Sequence, residues 1–371
     1  MSFSFSFSGD DIEEAEGGVE NPTPGSEQRA PDAPAPSRAS AFPVEGKPQL
    51  TPVRHDLDTM LDMLPSKVAY DLLEVKLDDG RTISLPRREL WDVRVQLMAE
   101  DDGSGTTEGL GSHDVKTGVY EGGFKSWESS VDLVKVLATQ GYSPGGDGRP
   151  LRVMELGCGT ALPSLALFQS AVSAKALGAS TPGPMFLLLA DYNPSVLQLV
   201  TLPNIILTWA LQLQDTEPAL KEAFSLENEL ELTDEVKSAF RAFLLSANIT
   251  LDWISGGWSA EFVDTIYASK TQTEPPVVSD SLIMGAETIY SPFALNAFYH
   301  TVMEILRCER RRNPNCNASA LVAAKRLYFG VGGSLDDFIA KARDGGAIIE
   351  QLREEVDGVR RGVVLCRLHR S

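Results

Sequence analysis

The stretch that decides the fold is Leu151-Arg-Val-Met-Glu-Leu-Gly-Cys-Gly-Thr-Ala-Leu162, in which an apolar run becomes glycine-rich and then turns helical. The apolar residues are typical of a strand buried on both faces, as in a parallel sheet. Gly157 and Gly159 allow a tight turn and a close approach of the backbone to a ligand. A strand, a glycine turn and a helix N-terminus predict a ligand site at the carboxyl edge of an open α/β sheet.

Glu155, just before the glycine turn, bears on the class of ligand. A carboxylate there repels a pyrophosphate and attracts a cation, and both the sulfonium and the amino group of S-adenosylmethionine are positive. The pattern E-x-G-x-G-x-A therefore favours an adenosylmethionine loop over a dinucleotide loop or a P-loop. Glycine spacing alone fits a structural turn equally well, so the interpretation also depends on an acid after the second strand.

That acid is Asp191, which follows the buried strand Met185-Phe-Leu-Leu-Leu-Ala190. In this fold an acid ending the second strand holds ribose hydroxyls, normally about 20 residues after the glycines. The distance from Gly157 is longer here, which fits an inserted Gly/Pro/Ser loop at Gly178 to Pro184. We assign Asp191 to the ribose; the alternative is a helix cap ahead of Pro194.

Composition restricts the class of protein and its partners. The chain has 371 residues, 43% of them hydrophobic, which is enough for a large core. Its net charge of −19 argues against nucleic acid as the main partner and favours a basic protein. The four cysteines form no C-x-x-C pair, which favours a reducing compartment and argues against zinc. Neither a signal peptide nor a membrane span is indicated, so we expect a cytosolic or nuclear protein.

The chain is organised in three parts. Residues 1–50 are rich in Pro, Ser and acids and predict a disordered tail, in which Phe3, Phe5 and Phe7 would share one face of an extended strand if that terminus docks. Residues 51–122 form an accessory segment with a β-hairpin around Asp78-Asp79-Gly80. Residues 123–371 form the main domain, with a charged helical surface insertion at 214–247.

Two tryptophans and an acid lie beside predicted strand ends. Trp127 opens a helix upstream of the glycine turn, and Trp258 follows the third strand. Each either flanks the cofactor or packs in the core. Glu287 follows the fourth strand, where a doubly wound enzyme places its chemistry. Because Ser291 already caps the next helix, with Pro292 at its first position, we assign Glu287 to the site.

The combined motifs identify a family. The chain resembles the eukaryotic protein-histidine methyltransferases of the methyltransferase-like group, which modify a histidine of a large-subunit ribosomal protein. The resemblance covers about residues 66–371, besides the terminal phenylalanines. Its motifs are Gly123-Phe-Lys-Ser-Trp-Glu128, Met154-Glu-Leu-Gly-Cys-Gly-Thr-Ala161, Ala190-Asp-Tyr-Asn193, Gly257-Trp258, Glu287-Thr-Ile-Tyr290 and Ala324-Lys-Arg-Leu-Tyr-Phe-Gly-Val-Gly-Gly333.

The resemblance implies a Rossmann-like, seven-stranded α/β sheet with an antiparallel C-terminal hairpin, and S-adenosylmethionine as cofactor. It implies that the methyl group faces Glu287 and Tyr290. It further implies a large-subunit ribosomal protein as partner, and the composition adds that this partner is basic, with no membrane, no direct nucleic acid, and a cytoplasmic and nuclear location. Gly256 departs from the family, where we expect an acid. The implied cofactor-binding residues are Trp127, Glu155, Gly157, Gly159, Asp191, Asn193 and Trp258.

The chemistry of the acceptor agrees with this interpretation. A neutral imidazole is already nucleophilic at pH 7, because its pKa is about 6.5, so the enzyme mainly has to align it. Two alternatives remain open at this stage: a protein-lysine methyltransferase of the same fold, which must deprotonate an ammonium, and a ribosomal-protein chaperone that has lost turnover.

Overall fold

The stretch at 151–156 forms a central strand of the main sheet. The computed structural model describes residues 43–100, 123–142, 149–178, 183–224, 226–268 and 278–369. The strands are β1 (Val53–His55), β2 (Lys67–Lys76), β3 (Thr82–Arg88), β4 (Leu151–Leu156), β5 (Met185–Asp191), β6 (Glu229–Glu231), β7 (Ile249–Ser255), β8 (Asp280–Ala286), β9 (Asn317–Lys325), β10 (Ala347–Glu355) and β11 (Arg361–Leu368).

The helices cover both faces of this sheet. They are α1 (Leu57–Asp62), α2 (Leu90–Glu100), α3 (Glu128–Thr139), α4 (Leu162–Ala176), α5 (Pro194–Val196), α6 (Leu202–Leu213), α7 (Asp234–Ser246), α8 (Ala260–Tyr267), α9 (Pro292–Arg312) and α10 (Leu335–Asp344). A π-helical turn, Leu197–Thr201, joins α5 to α6.

The sheet has the predicted topology with one additional strand. Its order is β1-β7-β5-β4-β8-β9-β11-β10, in which the five strands from β7 to β9 are parallel and β11 and β10 form an antiparallel hairpin. The Rossmann-like fold with its C-terminal hairpin is therefore confirmed. The eighth strand, β1, pairs antiparallel with β7 at the edge.

Side chains of the central strands point alternately to the two faces of the sheet, and each face has its own hydrophobic core. Val153 on β4 and its neighbour Leu187 on β5 pack with α3, α4, α6 and α7. Met154 and Leu188, one position further, pack with α8, α9 and α10. Because successive side chains of a strand point to opposite faces, a strand buried on both sides reads as the continuous apolar run seen in the sequence.

The helical run Pro194–Leu213 is long and apolar enough to cross a membrane. Of its apolar window, 83% is buried inside the protein, which is the environment of a core helix.

A second, smaller sheet has the order β3-β2-β6. The predicted hairpin around Asp78-Asp79-Gly80 is present, with Gly80 in the left-handed region at a φ of 86°. The prediction of a helical insertion at 214–247 is correct for α7 but wrong for Glu229–Glu231, which pairs with β2. Only Leu230 of this short strand is buried, so its sequence carries too little pattern to indicate a strand.

Helix α1 has only six residues, because the chain before it is drawn into the edge strand β1. Helix α9 ends with three arginines in its last turn, Arg310, Arg311 and Arg312. The predicted Phe3-Phe5-Phe7 strand and the tail up to residue 42 lie outside the described residues.

Candidate active site

A cavity of about 440 Å³ opens at the carboxyl ends of the parallel strands. It is lined from the carboxyl ends of all five parallel strands and from α3, as the α/β fold predicts. Every predicted site residue except Glu155 lies in its wall. They are Trp127, Gly157, Gly159, Asp191, Asn193, Trp258, Glu287 and Tyr290.

The glycine turn between β4 and α4 brings backbone close to three other segments. Gly157 has a φ of 69°, and a Cβ there would lie 2.8 Å from the methyl group of Thr288. Gly159 has a φ of 50°, and a Cβ there would lie 3.1 Å from the carbonyl oxygen of Gly123. These positions therefore require glycine for both backbone conformation and space.

Glu155 is the one predicted site residue that the structure places elsewhere. Its side chain is buried and accepts hydrogen bonds from the backbone N–H of Ser164, at 3.0 Å, and from the Ser164 hydroxyl. It thereby caps α4, whose own cap position, Ala161, supplies no side-chain bond. Burial raises the pKa of Glu155 to about 8, so its negative charge is largely lost at neutral pH. Glu155 therefore serves as the cap of α4 and lies outside the cavity wall, and its attraction for the sulfonium stays a prediction.

Asp191 binds the glycine turn to the second strand. Its carboxylate accepts hydrogen bonds from the backbone N–H groups of Gly159, at 3.0 Å, and Asn193, at 3.1 Å. Burial raises the pKa of Asp191 to about 6, against the opposing effect of these bonds, so it remains mainly ionised at neutral pH. The helix cap is Asn193, which accepts from the N–H of Ser195 at 2.9 Å. The capping alternative for Asp191 is thus excluded.

Cys158 in the same turn lines the cavity but is not an activated nucleophile. Its thiol is buried, and burial, followed by the charges of Asp191 and Glu155, raises its pKa well above the usual value. Cys158 is therefore a small turn residue, because a reactive cysteine needs a lowered pKa.

The two tryptophans lie in opposite environments. Trp127 is 41% exposed at the start of α3, which argues against a core role. Trp258 packs edge-on against Phe298, with ring centroids 5.3 Å apart, while also lining the cavity. Trp258 Nε1 and Thr288 Oγ1 are buried without a hydrogen bond to any described residue. The cavity wall thus combines glycine backbone with buried polar atoms that have no hydrogen bond to a described residue. Such a wall fits a flat polar ligand such as an adenosyl group.

An N-terminal strap, defined here as residues 43–52, covers one side of the cavity. Its Pro43 and Gln49 are part of the wall. The backbone N–H of Leu50 donates to the Tyr192 hydroxyl at 3.1 Å, and the carbonyl of Leu50 accepts from the Gly257 N–H at 2.8 Å. The sequence did not predict this contact, because the strap lies far along the chain from both partners.

The strap packs directly against Gly256, the position where we expected an acid. Its φ is 114°, and a Cβ would lie 2.6 Å from the carbonyl oxygen of Thr51 and 2.7 Å from Cα of Pro52. No acidic side chain fits at this position while the strap is docked. The wall at this point is therefore made by strap residues instead of a polar side chain at 256.

Glu287 marks the opposite end of the cavity. Its backbone is in the left-handed region, at a φ of 58°, and its N–H donates to the Ala323 carbonyl at 2.9 Å. Its carboxylate accepts from the Ser129 hydroxyl and from the Tyr328 hydroxyl, the latter at 2.5 Å. Ser291 caps α9 by accepting from Ala294 N–H at 3.1 Å, as predicted, so Glu287 is not used as a cap.

Comparison with known proteins places the chain in a family. It is 38% identical over 275 residues to histidine protein methyltransferase 1 of Saccharomyces cerevisiae, covering 70% of this chain and 69% of that protein. The fission yeast protein of the same name, from Schizosaccharomyces pombe, is 30% identical, with 83% of each chain covered. The chain belongs to the histidine protein methyltransferase 1 family.

This membership confirms the predicted enzyme class, a protein-histidine N-methyltransferase with S-adenosylmethionine as methyl donor. The family's homologue from Rattus norvegicus is 29% identical, covering 68% of this chain and 58% of that protein. No protein-family model matches the chain.

Two solved methyltransferase structures are among the folds similar to this family member. The delta-N METTL16 MTase domain has a TM-score of 0.33 at 10% identity, covering 66% of this chain and 85% of that one. Magnesium protoporphyrin IX methyltransferase (ChlM) from Synechocystis PCC 6803 with bound SAM has a TM-score of 0.28 at 11% identity, covering 65% of this chain and 79% of that one.

In this family member, three residues at the Glu287 end were missed by the assignment from sequence. Ser129 is 1% exposed on α3, and Tyr328 is 8% exposed in the loop after β9. The ammonium of Lys325 lies 5.6 Å from the ring centroid of Trp127 and 5.7 Å from that of Tyr328. Lys325 and Tyr328 belong to the motif at 324–333, whereas Ser129 directly follows the motif at 123–128. Val331 of the loop at 324–333 also lines the cavity.

Proposed function

We propose that this protein transfers a methyl group from S-adenosylmethionine to a histidine side chain of a basic large-subunit ribosomal protein. The observation that carries the proposal is the continuity of the cavity. The glycine turn, Asp191 and Trp258 line one part of its wall, and Glu287 and Tyr290 line another. A cofactor and an acceptor side chain have room to meet in one enclosed space.

The residues of the adenosyl end have separate tasks in this proposal. Asp191 keeps a carboxylate lone pair for a ribose hydroxyl, since a carboxylate accepts about four hydrogen bonds and three are used by the backbone N–H groups of Gly159, Tyr192 and Asn193. Trp258 offers its ring and its buried Nε1 to the adenine. The strap excludes water from the same side. S-adenosylmethionine, when bound, supplies an electrophilic methyl group on a sulfonium.

The acceptor end suits a neutral imidazole. Its nitrogen lone pair forms the new N–C bond, while the electron pair of the S–C bond returns to sulfur. Glu287 accepts a hydrogen bond from the second ring nitrogen, which fixes the tautomer and stabilises the positive charge that develops on the ring. Tyr290 contributes a second wall of this end. The methylated ring then loses its remaining N–H proton to solvent.

The substrate and its location are inferred from charge and resemblance. A net charge of −19 attracts a basic protein by long-range electrostatics, and the family that the sequence resembles modifies a ribosomal protein. The described residues contain four free cysteines, three of them buried, as expected in a reducing compartment. We therefore include a cytoplasmic and nuclear location in the proposal, with no membrane and no direct contact to nucleic acid.

The test is incubation of the purified protein with methyl-labelled S-adenosylmethionine and separated large-subunit ribosomal proteins, followed by amino-acid analysis of the labelled product. Label in methylhistidine of one basic protein supports the proposal. Label in methyllysine would overturn the choice of acceptor. Cofactor binding without any transfer to these proteins would overturn the choice of substrate.

A further inference from the structure

The carboxylate of Glu287 is held on both oxygens by hydroxyl groups from two different elements. Ser129 on α3 donates to Oε1, and Tyr328 in the β9–α10 loop donates to Oε2. Both donors are buried, Ser129 with 1% and Tyr328 with 8% of its surface exposed. The two hydroxyls therefore fix the plane of the carboxylate as well as its position.

The backbone of Glu287 is fixed in the same way. A non-glycine residue in the left-handed region persists only where its surroundings hold it, and such residues concentrate at functional sites. Here the N–H of Glu287 is bound to the Ala323 carbonyl on β9. Beside it, the loop carrying Tyr328 is bound to the Glu287–Tyr290 segment, because Gly333 N–H donates to the Tyr290 carbonyl at 3.1 Å.

Close backbone packing makes this pairing specific. A Cβ on Gly333 would lie 2.1 Å from the carbonyl oxygen of Ile289. The Tyr328 backbone N–H donates to the Gly333 carbonyl at 2.9 Å. This bond closes the loop and holds the Tyr328 phenol at a fixed distance from Glu287. The ring of Tyr328 also lies beside the Lys325 ammonium, 5.7 Å from its centroid.

The Glu287 carboxylate can still accept a hydrogen bond from a substrate. Burial, and then the neighbouring Glu287 charge, raises the pKa of Tyr328 well above its usual value, so the phenol stays a donor. Of the roughly four lone-pair positions on a carboxylate, two are used, and Glu287 lines the cavity.

We propose that Ser129 and Tyr328 are positioning residues, which aim the Glu287 carboxylate at one ring nitrogen of the acceptor histidine and thereby determine which nitrogen is methylated. The inference rests on the proposed function. A carboxylate that accepts from one N–H of the ring leaves the lone pair on the other nitrogen. If the carboxylate is fixed, one tautomer is selected and a single methylhistidine isomer forms; if it rotates, both isomers form.

The test compares Tyr328→Phe and Ser129→Ala with the wild type, using the full-length protein, saturating S-adenosylmethionine and the ribosomal protein that the wild type labels in the experiment proposed above. Each variant removes one hydroxyl that binds a charged group. We expect a fall in kcat of about 10- to 100-fold, since such bonds contribute about 1.5–3 kcal/mol. We also expect a mixture of the two methylhistidine isomers, with cofactor affinity within about twofold of the wild type by calorimetry.

Matched controls remove the same atoms elsewhere. Tyr70→Phe deletes a buried phenol in β2, and Ser281→Ala deletes a buried hydroxyl in β8 that makes no hydrogen bond to a described residue. Neither residue lines the cavity, so both should keep the rate and the single isomer.

The outcomes separate the two proposals. Wild-type methylation of histidine with unchanged rate and isomer ratio in both variants would overturn the positioning role alone. A fall in rate with a single isomer retained would overturn the control of nitrogen choice. Absence of methylhistidine from the wild-type reaction would overturn the proposed function and this inference with it. Because the two variants alter different elements, failure of one to fold leaves the other as the test.

Discussion

Replacing Gly256 by alanine tests whether the N-terminal strap completes the cofactor site. The backbone at this position has a φ of 114°, and the new methyl group would lie 2.6 Å from the Thr51 carbonyl oxygen. The new Cβ would meet a backbone oxygen, so no flexible side chain can move aside to relieve the clash. Either the turn at 256–257 distorts or the strap leaves it.

The magnitudes of these effects determine how far the strap is released. A non-glycine residue in a sparsely populated backbone region costs about 1–3 kcal/mol whether or not the strap is docked, whereas overpacking costs about 1–3 kcal/mol only while it is docked. The hydrogen bonds that attach Leu50 to Tyr192 and Gly257 contribute about 0.5–1.5 kcal/mol each. Since the overpacking is comparable with this attachment, a substantial fraction of the molecules should undock residues 49–52.

The predicted result for Gly256→Ala is a loss of cofactor affinity of about tenfold, equal to about 1.4 kcal/mol, measured by calorimetry with S-adenosylmethionine. Hydrogen exchange at the Leu50 and Gly257 amides should accelerate in parallel. The matched control is Gly346→Ala, which has a φ of 82° but no atom within 4 Å of the new Cβ. Wild-type affinity and wild-type exchange in Gly256→Ala would refute the reasoning.

Two further predictions concern the acids near the glycine turn. In Asp191→Asn the new amide N–H₂ group would face a backbone N–H, either that of Gly159 or that of Asn193, which now donates to the carboxylate. The affinity for S-adenosylmethionine, measured by calorimetry, should therefore fall on the order of 10- to 100-fold. Unchanged affinity would contradict the role of Asp191. For Glu155 the folded-state pKa of about 8 lies above the ordinary value of 4.5, so the folded protein retains a proton that the unfolded chain has lost. Stability therefore falls as the pH rises from about 5 to 8, by up to about 1.4 kcal/mol per pH unit. Glu155→Gln should remove this slope in denaturant titrations and keep cofactor binding, whereas an identical slope in variant and wild type would contradict the assignment.

The parts of the fold that follow from local pattern could be predicted from the sequence. The apolar runs before Gly157 and Asp191 are strands because burial on both faces requires uninterrupted apolar residues. The helix after Ser291 begins there because a cap and a proline at the first position both favour it. The site residues at strand ends were predictable for the same reason, since parallel strands bring their carboxyl ends to one edge.

What the sequence could not provide is contact between distant segments. The strap meets Tyr192 across 142 positions, and Ser129 reaches Glu287 across 158. No periodicity encodes such pairs. Glu155 illustrates a different limit, because its charge was inferred from residue type, whereas its actual protonation depends on burial that only the folded structure reveals.

The central claim is that a histidine is methylated at the Glu287 end of the cavity. The most direct measurement is the rate of methylhistidine formation by wild type and Glu287→Gln at saturating S-adenosylmethionine. The account predicts methylhistidine from the wild type and a rate lower by about 100-fold or more in the variant, since removing a charge that stabilises the transition state costs on the order of 10²–10³ in rate. Full turnover by Glu287→Gln, or methyllysine as the wild-type product, would contradict it.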